Sequence, residues 1–184
     1  MKRMLLVLAV MVLGLAVSEV YAATTADITV YVKIQKLSVA VDPTTYDFGT
    51  LIAGNEAVAS SYIAVTNDGN VTEKFKLEIP SEPNGTWTSV TEGTVDAEEY
   101  RLSAIFRDAQ PEASDYGYED SFGVGKERIA SATDLAIDSD PEGEKGYNVA
   151  QDAWRKLWFK FEAPSSTIIT TQQSIIARVT ALAQ

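Results

Sequence analysis

Apolar residues in this chain recur at every second position, in short runs broken by turn-forming residues, and no stretch sustains a helical period. That pattern confines the chain to β-structure, because alternate side chains of a strand point to opposite faces. Ile28, Val30, Val32 and Ile34 alternate with Thr29, Tyr31, Lys33 and Gln35. Leu37, Val39 and Val41 then continue on the other parity, so one residue of phase is lost near Gln35, as at a bulge or a change of sheet. A long strand is expected over residues 27–41, ended by Asp42 and Pro43. Further runs cover 46–51, 57–66 and 71–79, punctuated by Gly54 and by Asn67, Asp68, Gly69 and Asn70. Tyr100, Leu102, Ala104 and Phe106 alternate next; Leu157, Phe159 and Phe161 share a face; residues 174–182 alternate again. Seven or eight short strands predict an all-β antiparallel sandwich.

The residues missing from the chain bound its chemistry. It has 184 residues, one domain's worth, with a formal net charge of -11 and neither His nor Cys. No Ser-His-Asp triad, Cys-His pair or His base is available, and a zinc site would need carboxylates alone. Some pair of carboxylates at glycosidase separation is almost inevitable by chance, and sequence spacing selects none. The expectation is a protein that is not an enzyme. Its acidity also argues against nucleic acid as a partner.

Lys2 and Arg3 precede an apolar run over residues 4–17, and Val20, Tyr21 and Ala22 fit a cleavage site. Residues 1–22 are therefore expected to be a signal peptide and 23–184 a single exported domain: extracellular, cell-surface or periplasmic. No second apolar stretch long enough for a membrane span follows.

Residues 107–151 carry 11 acidic against 4 basic residues and read as a long acidic insertion, with a short helix expected near 126–137. Asp138, Asp140 and Glu142, followed by Gly143, echo the first half of a calcium loop. Val149 stands where such a loop needs its bidentate Glu, so an EF-hand is excluded and only a looser calcium site is open. No other cofactor is indicated. A second candidate surface is the strand face formed by Trp154, Lys156, Trp158 and Lys160, opposite the core-facing Leu157, Phe159 and Phe161. Those rings would stack on sugars or a protein partner, or else be covered by residues 107–151 with the Lys stems along them. Two N-glycosylation sequons begin at Asn70 and Asn84, where turn chemistry also explains both residues.

Tyr46-Asp47-Phe48-Gly49-Thr50-Leu51, Gly54 five residues after Gly49, and Val65-Thr66-Asn67-Asp68-Gly69-Asn70 together resemble the DFG…G…VxNxG pattern of Hydin-like and other immunoglobulin-like β-sandwich domains. The same order behind a signal peptide is similar to secreted sandwich proteins of the camelysin and TasA kind, whose members build extracellular fibres. The resemblance covers residues 27–79 and implies an immunoglobulin-like antiparallel β-sandwich. Three functions follow as expectations. The first is a structural or adhesive, self-assembling protein of the cell envelope or extracellular matrix, partnered by itself or by other matrix proteins. In that reading the segment 27–41 either completes its own sandwich or is donated to a neighbour. The others are a polysaccharide- or surface-binding module and a calcium-stabilised secreted domain.

Overall fold

The computed structural model describes Thr25, residues 27–83 and residues 87–184; the expected signal peptide, its expected cleavage site and the sequon at Asn84 lie outside these. The chain divides into two units, Met1–Lys33 and Ile34–Gln184. The second unit is built from ten strands, and among the described residues the only helical turns are two of three residues each, Ala113–Asp115 and Tyr118–Asp120. The strands are β1 (Val39–Asp42), β2 (Glu56–Val58), β3 (Ile63–Asn67), β4 (Glu73–Glu78), β5 (Thr88–Ser89), β6 (Glu99–Phe106), β7 (Ser121–Phe122), β8 (Arg128–Ile129), β9 (Trp154–Glu162) and β10 (Arg178–Ala183).

They form two sheets. The larger runs β1-β3-β9-β6-β5, with β2 also pairing β9 and β7 pairing β6; the smaller runs β10-β4-β8. Pairing is antiparallel except between β5 and β6. The alternation seen in sequence dictates the core. Ile63 and Val65 of β3, Tyr100, Leu102, Ala104 and Phe106 of β6, and Leu157 and Phe161 of β9 face Phe75 and Leu77 of β4 in one buried cluster. Phe75 packs on Phe106 with ring centroids 5.6 Å apart, and Phe161 packs on Tyr100 at 5.9 Å.

The resemblance motif has a physical basis here. Gly49 and Gly54 adopt φ of 71° and 79°, which a side chain rarely tolerates, and Asp47 accepts the Gly49 N–H through its carboxylate at 2.8 Å. At the second turn, Asn67 accepts the Gly69 N–H and donates to the carbonyls of Val71 and Val149.

Two expectations about strands and helices change. The long strand over 27–41 shrinks to Val39–Asp42, because β1 finds a partner only where it runs beside β3, from Val39 opposite Asn67 to Asp42 opposite Ala64. The helix near 126–137 does not form. Gly125 sits at φ 71°, β8 pairs with β4, and the Ser131 hydroxyl accepts the N–H groups of Thr133 and Asp134, which competes with a helical ladder.

Residues 107–151 are woven through the fold. Their first part crosses the outer face of β9: the Trp158 indole donates to the Arg107 carbonyl at 2.8 Å and Gln110 to the Ala59 carbonyl at 2.9 Å. Their later part supplies Ala130, Leu135 and Val149 to the core and bonds back to it, with Phe106 N–H donating to Leu135 and Val149 exchanging both backbone bonds with Glu73. The charge of this segment stays mostly at the surface while its sparse apolar residues are buried.

Candidate functional site

Three groups of residues bear on function, and the N-terminal segment is the most unusual. Residues 27–38 join no strand. Ile28, Val30, Val32 and Ile34 are 77–88% exposed, although they form one apolar face of an alternating run. Water-exposed β-branched residues in strand order make an adhesive surface. The segment emerges at a fixed point. Asn70 accepts the Lys36 N–H and donates to the Ile34 carbonyl, both at 2.8 Å, and the buried Glu73 accepts the Ser38 N–H at 2.9 Å. The sequon at Asn70 thus has its amide committed to this anchor.

The same unit holds an open sheet edge. β10 bonds to β4 from Arg178 opposite Glu78 to Ala183 opposite Glu73, and among the described residues no strand pairs its other side. Ile175, Ala177 and Val179 point toward the core yet remain only half-buried, and the neighbouring Ile176 is exposed. A core-facing row that stays half-wet lacks a cover along that edge.

The tryptophan face is divided by the segment that crosses it. Trp158 is 6% exposed, beneath its bond to Arg107, and Lys160 is buried with its ammonium on Glu56 at 2.8 Å and on the Ala113 carbonyl at 3.4 Å. Neither is free for a ligand. Trp154 is 47% exposed, and Lys156 reaches Asp108 at 2.9 Å. Sequence reasoning missed Tyr62, which precedes β3 on the outward parity of Ala64 and Thr66. Its ring lies 6.1 Å from Trp154 at an interplanar angle of 22° and meets Trp158 edge-on at 5.6 Å. The alternation through residues 62, 64 and 66 was the available signal.

The acidic candidates do not converge. Asp138 and Glu142 are exposed, whereas Asp140 is held beside Arg107 with Nε to Oδ2 at 3.4 Å, and burial raises its carboxyl above the ordinary range against the pull of that guanidinium. Among the described residues no three acidic side chains form a group able to hold a metal ion. The centre of this segment is occupied by Lys145, which is buried and donates to the carbonyls of Ala132 at 2.8 Å and Asp138 at 3.2 Å. The buried carboxylate of the segment is Asp120. It accepts the N–H groups of Gly117 at 2.9 Å and Ala136 at 3.1 Å. Burial nevertheless pushes its pKa up to about 7, outweighing those two donors.

A shallow depression of about 330 Å³ is lined by Glu78, Glu127 and Arg178, but Lys76 bridges the two carboxylates at 3.0 and 2.7 Å and Arg178 reaches Glu78 at 3.1 Å. Their charge is spent on ion pairs. No helix among the described residues is long and apolar enough to cross a membrane. Comparison with known proteins found no matching family model, no matching curated protein and no matching solved structure.

Proposed function

We propose that this is an exported, non-catalytic structural protein of the cell envelope or extracellular matrix, and that it assembles with copies of itself through the N-terminal segment. One observation carries the reading: the four apolar side chains of residues 28–34 alternate like a strand and lie in water. A second copy is the occupant that fits. The unpaired side of β10, extended by residues 174–177, offers about the length of strand that residues 27–35 would fill, and its half-buried row needs apolar cover. Donor segment and accepting edge are different surfaces of one chain. Such a contact is heterologous, and unless its rotation closes a ring it propagates as an open polymer.

The gain and the cost of pairing are of the same order. Covering a Val or Ile side chain is worth about 1.5–3 kcal/mol, so four yield roughly 6–12 kcal/mol. Edge hydrogen bonds add about 0.5–1.5 kcal/mol each. These contributions stand against about 4–15 kcal/mol for association and further ordering of the segment.

The test is size exclusion with light scattering on residues 23–184 at rising concentration, with negative-stain microscopy of large species. Regular polymers are expected, and removal of residues 23–35 is expected to leave a folded monomer. A monomer at every concentration overturns the proposal, as does a truncated chain that still polymerises. A truncated chain that no longer folds shows instead that the segment completes its own domain.

A further inference from the structure

We propose that Tyr62 and Trp154 form a binding site for an uncharged polysaccharide. The site is independent of the assembly surfaces above. Tyr62 is 38% exposed, its ring lies near-parallel to that of Trp154, and among the described residues neither the Tyr62 hydroxyl nor the Trp154 indole N–H makes a hydrogen bond. The half-exposed Trp154 ring, buttressed by Tyr62, and the unspent polar tips of both side chains suit a sugar, whose C–H faces stack on rings and whose hydroxyls need donors and acceptors. Ala64, between them in the outward row of β3, is small enough to let the two rings lean together across it.

The surroundings favour the same ligand. The Lys156 ammonium lies over the Tyr62 ring, 5.5 Å from its centroid, and holds the 66% exposed Asp108 carboxylate at 2.9 Å. An apolar protein knob would strip water from both of these charged groups without replacing it, whereas hydroxyls bond to them. Lys156 is already paired with Asp108, and a chain of net charge -11 repels polyanions, so a neutral polymer is favoured over a polyanionic one. The platform is also preorganised: Tyr62 rests edge-on against Trp158, which is buried and tied to the Arg107 carbonyl. Little side-chain freedom is left to lose on binding.

The experiment is retention of the whole exported chain on insoluble cellulose, chitin and starch, with soluble alginate as the polyanion, for wild type, Trp154→Ala and Tyr62→Ala. Wild type is expected to be retained on at least one neutral polymer, and each substitution to weaken retention about tenfold with the melting temperature held within about 2 °C. No retention on any neutral polymer overturns the proposal. So does binding to alginate alone, retention indifferent to both substitutions, or a melting loss of several degrees in both variants, which would make the pair a packing contact.

Discussion

The parity of the N-terminal segment offers a quantitative test. If residues 28–34 pair as a strand, only one face meets the accepting core, and Val30 and Val32 lie on it whereas Thr29 and Lys33 do not. Replacing Val30 and Val32 together by Ser removes about 3–6 kcal/mol of burial from each contact between copies. At 1.4 kcal/mol per decade, the critical concentration for assembly rises roughly 100- to 10,000-fold. The paired control, Thr29→Ser with Lys33→Ser, leaves it within about threefold, since both side chains stay wet. The stability of the monomer is unmoved by the first pair because both valines are already exposed, at 77% and 81%. The assay is the critical concentration from light scattering and sedimentation, with thermal unfolding followed by circular dichroism. Equal losses from the two pairs would refute strand pairing and leave nonspecific stickiness. A melting temperature lowered by the valine pair would show that the segment packs within its own domain.

Three further outcomes follow from the buried groups. Asp120 has a folded pKa near 7 against an ordinary 3.8, so the folded state holds its proton more tightly; the associated stability is complete below about pH 4 and falls by about 4 kcal/mol as pH rises to 7 and beyond. Asp120→Asn should flatten that decline in a series of urea midpoints, and an unchanged slope would remove Asp120 as its source. Trp158→Ala should cost about 3–5 kcal/mol and roughly 6–20 °C of melting temperature, far more than Trp154→Ala, because it opens a cavity and orphans the Arg107 carbonyl. Lys145→Met leaves the carbonyls of Ala132 and Asp138 without their donor, so about 1–3 kcal/mol is lost and hydrogen exchange across 131–145 quickens; protection equal to wild type would show that the ammonium does not organise this segment.

The strands legible in sequence were those whose alternation is answered by a neighbour. β4 alternates buried and half-buried residues as its sequence does, and β6 and β9 send their apolar parity to the core although most of their other face is covered as well. Residues 28–34 show equally clean alternation and join no strand, because periodicity reports an amphipathic face and says nothing of a partner. The later part of the acidic segment hid its contribution to the core for the opposite reason: Ala130, Leu135 and Val149 are buried from irregular backbone, with no period to betray them. Trp154 and Trp158 occupy the same parity, and only the path of residues 107–113 over β9 decides which is covered. Tyr62 joined them through a cross-strand register that no single run encodes.

Lys145 carries a wider consequence. Its ammonium gathers the carbonyls of Ala132 and Asp138 at the two ends of one irregular turn, a task that a bound cation can also perform. A cation joined to the backbone by its own side chain is neither diluted when the surrounding medium changes nor removed by a chelator. Its vulnerability is chemical instead: acylation of that single amine during a transient opening would erase the charge and leave residues 131–145 without their organising centre.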